Sequence, residues 1–269
     1  MRTIAAAAFL LLAACQQKPR EFTFDGGLSS DRPARIAHGE RLTHVLGCTG
    51  CHGAKLEGDL FTKGHPEYGP LYASNLTVEV PEYSDAELDG IVRHGRHPDR
   101  KSVWGMPSHI FQHLSDSDYD GLIAFLRSLK PIGEKTPPPQ FSPQDHKDIA
   151  SGLYQPEARA VRETAKDLPV DVGPQYSLGR YITEVTCAEC HGSKLEGQKG
   201  PSGSPPDLLV AGGYTRTEFE KLITRGIPTG NRKLNPMMSG VAVTRFSHLT
   251  PHERDALYGY LKARVERQQ

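Results

Sequence analysis

The 269-residue sequence has few cysteines, no excess of either charge and few methionines. It contains 32 basic and 32 acidic residues, so its formal net charge is zero. A balanced chain gives no reason to expect a patch for nucleic acid. The apolar run from Ile4 to Ala14 is shorter than the roughly 20 residues that a membrane-spanning helix needs. These absences argue against a nucleic-acid-binding protein and against a span at the N-terminus.

Four of the five cysteines fall in two Cys-x-x-Cys-His motifs, which leaves no pair for an internal disulfide. In such motifs two thiols add to the vinyl groups of a porphyrin, and the histidine binds the iron from one side. Cys48 and His52 lie four residues apart, so they share a face of a helical turn. The predicted attachment residues for two covalently bound haem c groups are Cys48, Cys51, His52, Cys187, Cys190 and His191.

A zinc ribbon is the alternative interpretation of the two cysteine pairs. Zinc also binds four cysteine or histidine side chains at such spacings. A ribbon, however, does not require a histidine directly after each second cysteine. The repeated Cys-His dipeptide therefore favours haem attachment.

The fifth cysteine, Cys15, closes a segment typical of protein export. Residues 1–14 have a short basic start and an apolar core, which predicts a signal peptide. The sequence Leu12-Ala13-Ala14-Cys15 resembles the lipobox of bacterial lipoproteins, in which the cysteine is diacylated and becomes the mature N-terminus. An ordinary signal peptide with an incidental cysteine is the alternative. We expect a lipid anchor at Cys15, a tether over residues 15–33 and a location on the periplasmic side of a bacterial membrane.

The two halves of the chain repeat the same segments in the same order. A Lys-Leu-Glu-Gly run follows each haem motif, at 55–58 and at 194–197. Capping patterns then predict two further helix starts in each half. These starts are at Ser84 and Ser115 in the first half and at Thr215 and Thr250 in the second. Three helices around a haem make a small all-α domain.

The repeat predicts an all-α protein with domains at residues 34–130 and 175–269. Between them, residues 131–174 are rich in proline and include the run Pro137-Pro138-Pro139. Such a composition is typical of an extended, semi-rigid connector. The middle of this segment, at 156–168, has helical character. We therefore expect the connector to lie on the domains and to fix their relative position.

Apart from the initiator, the chain contains only three methionines, and all follow a haem motif at similar distances. Met106 lies 54 residues after His52, and Met237 and Met238 lie 46 and 47 residues after His191. A methionine thioether on the second axial position of a haem raises its potential. Methionines that only fill gaps in the core are the alternative. Four histidines near Met106 could compete as ligands: His94, His97, His109 and His113.

With these residues, the chain from 33 to 267 resembles di-haem cytochromes c built from two tandem class I cytochrome c domains. The first half is similar to the cytochrome subunits of membrane-bound alcohol, aldehyde and gluconate dehydrogenases. The similar segments are GPLYASNLT at 69–77, YSDAEL at 83–88, VRHG at 92–95 and MP at 106–107. Those subunits pass electrons from a dehydrogenase to quinone or to an oxidase, and they typically carry three haems. The resemblance thus implies redox partners such as a dehydrogenase, an oxidase or another cytochrome.

The resemblance also implies details of the two haem sites. The eight-residue distance from Met238 to Phe246 favours Met238 over Met237, so the expected iron ligands are His52 with Met106 and His191 with Met238. A proline carbonyl often accepts a hydrogen bond from the haem histidine in this family. Pro206 is the candidate in the second half, and Pro70 is a weaker candidate in the first.

The sequence favours an electron carrier over an enzyme. A di-haem peroxidase or a thiosulfate-oxidising cytochrome is the alternative, and it would need an iron that binds substrate. No obvious acid, base or extra thiolate accompanies the motifs. Glu57 and Glu196 are close to them, but their presence in both halves indicates a structural or surface role.

Overall fold

The computed structural model describes residues 22–100, 102–198, 204–230 and 232–267. The predicted signal peptide, Cys15 and the first part of the predicted tether lie outside these ranges. Within them the chain is mostly helical. The strands β1 (Asp59–Leu60) and β2 (Tyr72–Ala73) form an antiparallel pair, and the described residues contain no further sheet. The predicted all-α class is therefore confirmed.

The described part of the first domain contains six α-helices around one apolar core. They are α1 (Arg32–Val45), α2 (Cys48–Cys51), α3 (Leu76–Glu79), α4 (Asp85–Val92), α5 (Ser108–Phe111) and α6 (Asp116–Leu126). Asp31 starts α1 because its carboxylate accepts from the Ala34 N–H at 3.0 Å. A Cβ at Gly39 would overlap the carbonyl group of Gly121, so glycine allows α1 and α6 to pack closely.

The connector contains two helices, α7 (Pro143–Ser151) and α8 (Glu157–Thr164), and both pack on the first domain. The buried Asp145 carboxylate accepts from the Gly69 N–H at 2.8 Å. The Trp104 ring lies 5.4 Å from Phe141 and 5.0 Å from Tyr154, measured between ring centroids. The connector thus covers the segment that contains Met106.

The second domain repeats the order of the first. Its helices are α9 (Ser177–Ile182), α10 (Ala188–His191), α11 (Arg216–Arg225), α12 (Pro236–Thr244) and α13 (Pro251–Glu266), and a π-helical turn, Thr183–Cys187, joins α9 to α10. α13 packs on α9 as α6 packs on α1. Gly179 is the counterpart of Gly39, because a Cβ there would overlap the Ala256 carbonyl oxygen.

The four helix starts predicted from capping patterns are present. Ser84, Thr215 and Thr250 each form a reciprocal capping box with the glutamate three residues later. Ser115 accepts from the Asp118 N–H at 3.2 Å. Each cap satisfies backbone N–H groups that the first helical turn leaves without partners.

A segment from the predicted tether packs between the two domains. The Phe24 side chain is fully buried, and its ring centroid lies 5.5 Å from that of Tyr181 in α9. The Asp25 N–H donates to Glu253 Oε1 in α13 at 2.8 Å. This segment therefore joins the first domain to the second through both apolar and polar contacts.

Asp118 is the centre of a buried polar cluster beside Phe24. Its carboxylate accepts from His38 Nε2 at 2.7 Å and from the Tyr181 hydroxyl at 2.6 Å. His38 Nδ1 lies 3.1 Å from the Asp25 carbonyl oxygen. Both ring nitrogens of His38 thus lie within hydrogen-bond distance of oxygen atoms in this buried cluster. Burial and then the Asp118 charge raise the pKa of Tyr181, which keeps its hydroxyl protonated as a donor.

Candidate haem sites

The first Cys-x-x-Cys-His motif forms one tight helical turn. The His52 N–H donates to the Cys48 carbonyl at 2.9 Å, which places the first cysteine and the histidine on one face, as the spacing predicts. His52 Nδ1 donates to the Ser74 carbonyl at 2.7 Å. This hydrogen bond fixes the ring and leaves Nε2 as the free ligand atom. Burial lowers the pKa of His52, so the ring is neutral at pH 7, as a metal ligand must be.

The second motif repeats this geometry. His191 Nδ1 donates to the Pro206 carbonyl at 2.7 Å, which is the acceptor that the family resemblance implies. The weaker candidate in the first half, Pro70, was wrong. Pro70 is exposed, and the N–H of its neighbour Gly69 donates to Asp145 of the connector. Ser74, which directly follows β2, instead provides the carbonyl oxygen that accepts from His52.

The turn after each motif has the same backbone conformation in both domains. Leu56 and Leu195 have φ values of 61° and 63°, and they are the positive-φ residues other than glycine in the described chain. Such a conformation costs about 1–2 kcal/mol for a residue with a Cβ. Both leucines are buried, and the burial of a leucine contributes a similar amount of free energy. The Lys-Leu-Glu-Gly repeat was the available signal for this feature, but it did not reveal the strain.

The described structure also gives Glu57 a structural role. Its Oε2 accepts from the Lys55 N–H at 2.8 Å and so closes the turn. This contact agrees with the structural role expected for Glu57.

All four motif cysteines are free thiols in the structure. Burial raises the pKa of Cys48 to about 12 and that of Cys187 to about 11. Burial also raises the pKa of Cys51 and of Cys190. The thiols are therefore neutral at pH 7. Two neutral thiols and one free imidazole nitrogen per motif fit the donor set of a haem c group.

The zinc alternative finds no support in the part of the chain that the structure describes. There, no three side chains of the types histidine, cysteine, aspartate and glutamate come together as a metal site. A structural zinc site needs four such ligands.

The methionines differ in how they face the core. Met106 and Met238 are partly buried against the core, whereas Met237 exposes 51% of its surface. This placement favours Met238 over Met237. Ligation of iron by Met106 and Met238 stays a prediction.

The four competing histidines near Met106 have other partners. Their nearest polar partners are Asp89 for His94, the Asp99 N–H for His97, Glu157 for His109 and Glu184 for His113. His109 Nδ1 lies 2.8 Å from Glu157 Oε2, and His113 Nδ1 lies 3.2 Å from Glu184 Oε1. Each of the four histidines thus has a polar partner for one ring nitrogen, and the preference for Met106 over them stays a prediction.

Comparison with known proteins identifies the family of the chain. The family model for cytochrome c matches residues 36–130 and 177–264. The chain belongs to the cytochrome c family. The two matched regions coincide with the two halves that repeat the haem site.

Several curated relatives are parts of redox complexes. The cytochrome c subunit of a quinone alcohol dehydrogenase from Gluconacetobacter polyoxogenes is 27% identical over 226 residues, which cover 78% of this chain and 46% of that protein. A nicotinate dehydrogenase component from Pseudomonas putida is 23% identical over 199 residues, covering 69% of this chain and 16% of that protein. The CcoP component of a cbb3-type cytochrome c oxidase from Helicobacter pylori is 31% identical over 100 residues, covering 37% and 30%. This cytochrome c spans less than half the length of each.

These findings establish covalently bound haem c as the cofactor and electron transfer as the general function. They agree with the donor set of the two motifs. No helix in the described ranges has the length and apolar character that crossing a membrane requires.

Proposed function

We propose that this cytochrome c carries two haems and relays electrons from a dehydrogenase or a quinol-oxidising complex to an acceptor such as a terminal oxidase. We further propose that a lipid at Cys15 tethers it to the periplasmic side of a bacterial membrane. The observation that carries the two-haem proposal is the duplicated histidine geometry. In each half a motif histidine donates from Nδ1 to a backbone carbonyl at 2.7 Å.

Each domain supplies a complete set of residues for one haem. The thiols of Cys48 and Cys51 would attach one group, and those of Cys187 and Cys190 the other. His52 and His191 would bind iron through Nε2, and Met106 and Met238 would supply the second protein ligand of each haem. The carbonyl hydrogen bonds hold each imidazole in one orientation and raise its basicity as a ligand. The bound haem supplies reversible one-electron chemistry at its iron.

The rest of each domain serves to keep its site dry and rigid. Apolar side chains of one continuous core surround the motifs, and Leu56 and Leu195 are buried directly after them. A low-dielectric pocket and fixed ligands tune the potential of a haem. They also limit the rearrangement that accompanies a change of charge, which makes electron exchange fast.

The proposed partners rest on the relatives. Quinone alcohol dehydrogenase and nicotinate dehydrogenase, by their names, belong on the electron-donating side, and a cbb3-type oxidase belongs on the accepting side. We propose the same classes of partner for this chain. The donor is an oxidoreductase that releases electrons, and the acceptor is a haem protein that takes them up.

The relay is tested with the exported full-length protein in a host that matures c-type cytochromes. Reduced protein is mixed with membranes that contain a terminal oxidase, and both haems are expected to become oxidised. Oxidation of one haem alone, or none, would contradict the relay. Rapid turnover of added peroxide or thiosulfate would instead favour an enzyme.

The tether is tested separately by cell fractionation. The native chain is expected in the membrane fraction, and a Cys15→Ala variant is expected in the periplasm or unprocessed. A native chain found wholly in the soluble periplasmic fraction would refute the lipid anchor.

A further inference from the structure

Arg245 of the second domain reaches the haem motif of the first. It follows α12 and lies against Gly47, the residue directly before Cys48. A Cβ at Gly47 would overlap the guanidinium group. The guanidinium therefore packs on the backbone from which the first attachment turn begins.

The same guanidinium is paired with the motif of its own domain. Arg245 Nη1 lies 2.5 Å from Oε2 of Glu189, which stands between the two cysteines of the second motif. Only 17% of the Arg245 side chain and 25% of the Glu189 side chain are exposed. One partly buried ion pair thus contacts both attachment motifs.

The two charges of this pair lie close to both attachment motifs. Glu189 is part of the second motif, and the Arg245 guanidinium lies against the residue that precedes the first. Both motifs therefore experience the same two charges.

The surrounding contacts show that this part of the domain boundary is well packed. The His44 ring of α1 stacks on the His248 ring of the second domain, with centroids 4.3 Å apart and planes 9° from parallel. Arg41 donates to the His248 carbonyl at 3.3 Å and to Glu253 Oε2 at 2.8 Å. These contacts join α1 to the segment that follows Arg245 in the chain.

We propose that Arg245 is a positioning residue that clamps the two attachment motifs together, so that the two haem sites exchange electrons directly across the domain boundary. Its positive charge also raises the potential of both sites, because a nearby cation favours the reduced, more negative state. In the exchange one iron is oxidised from ferrous to ferric while the other is reduced from ferric to ferrous. No bond breaks and no proton moves, since arginine stays charged. This inference rests on the two-haem function proposed above.

Three substitutions separate the charge of Arg245 from its clamping role. Arg245→Gln removes the cation and the ion pair, so both midpoint potentials are expected to fall and electron exchange between the haems to slow. Glu189→Gln breaks the same ion pair but removes an anion, so both potentials are expected to rise while the exchange again slows. Arg245→Lys keeps the positive charge but lacks the planar guanidinium that forms several directed hydrogen bonds. Its potentials are therefore expected to lie closer to the wild-type values than its exchange rate does.

The matched control is Arg254→Gln. Arg254 also belongs to the second domain, pairs with Glu220 at 2.7 Å and exposes 15% of its side chain, but its partner lies in α11 rather than in a haem motif. This variant is expected to keep the wild-type potentials and the wild-type exchange rate.

The measurements are haem content per chain, potentiometric titration followed optically, and the rate of electron exchange after photoreduction of one haem. Potentials and rates of Arg245→Gln that match those of Arg254→Gln would overturn the proposal, and so would a shift confined to one haem. If Arg245→Gln loses haem during maturation, Glu189→Gln and Arg245→Lys decide the question by the same criteria. A wild-type chain with fewer than two haems would instead refute the proposed function. A wild-type relay with unaffected variants would refute the role of Arg245 alone.

Discussion

Replacing Asp118 with asparagine tests how the two domains are held together. The Asp118 carboxylate accepts four hydrogen bonds, from Thr23 Oγ1 at 2.5 Å, His38 Nε2 at 2.7 Å, the Phe24 N–H at 3.1 Å and the Tyr181 hydroxyl at 2.6 Å. Asparagine keeps the shape but turns one acceptor oxygen into a donor. The two hydroxyls can rotate away from it, whereas the His38 ring and the Phe24 N–H are fixed in place.

The substitution also replaces a buried carboxylate that accepts four hydrogen bonds by a neutral amide. Leaving a buried donor without its acceptor costs about 1–3 kcal/mol. A protein of this size loses roughly 2–4 °C of melting temperature per kcal/mol, so Asp118→Asn is expected to lower Tm by about 2–12 °C.

The assay is thermal unfolding of the haem-loaded protein, followed by far-ultraviolet circular dichroism. Asp116→Asn is the matched control, because Asp116 lies in the same helix but its side chain is 82% exposed in an ion pair with Arg93. A surface pair contributes about 1 kcal/mol or less. If Asp118→Asn melts within the range of this control, the buried cluster does not hold the domains together.

Three further predictions concern the domain boundary and the first haem. Burial lowers the pKa of His113 to about 4 and raises that of Glu184 to about 7, and the two side chains meet 3.2 Å apart between the domains. The neutral histidine contributes stability that is lost as the pH falls from 6.5 towards 4. The protonated glutamate contributes stability that is lost as the pH rises from 4.5 towards 7. The two contributions therefore change with pH in opposite directions. His113→Gln removes the histidine contribution, so the stability of the variant relative to the wild type is expected to fall by up to about 3 kcal/mol as the pH rises from 4.5 to 6.5. A difference in Tm between the two proteins that stays level over this interval would contradict this. Phe24→Ala is expected to lower the free energy of unfolding by about 3–5 kcal/mol, because the ring is fully buried. Phe22→Ala is the control, because that residue is 39% exposed. Equal melting temperatures of the two variants would show that the segment does not join the domains. Met106→Ala is expected to convert the first haem to a high-spin or rebound-ligand spectrum, and Met237→Ala to leave the spectrum unchanged; an unaltered spectrum in Met106→Ala would remove Met106 as a ligand.

Short-range patterns in the sequence predicted much of the fold. A capping box involves residues three positions apart, so Ser84, Thr215 and Thr250 mark their helices without any knowledge of the tertiary structure. The haem motif is equally local, because Cys48 and His52 are joined within one helical turn. Duplication then strengthened each assignment by repeating it.

Contacts between distant residues were not predictable in the same way. Phe24 packs on Tyr181 of the other domain, and Asp118 bonds to Phe24 and Thr23, which lie 94 and 95 positions away. Arg245 likewise lies far along the chain from Gly47. The Ser74 carbonyl was also missed, because its approach to His52 depends on the β1–β2 pair and on how the connector holds Gly69. No local pattern encodes these distances.

Intact-mass measurement of the exported protein tests most directly whether both motifs carry haem. The account predicts the mass of the processed chain plus two haem groups, and a Cys48→Ser/Cys51→Ser variant that retains one. A wild-type mass with one haem or none would contradict it.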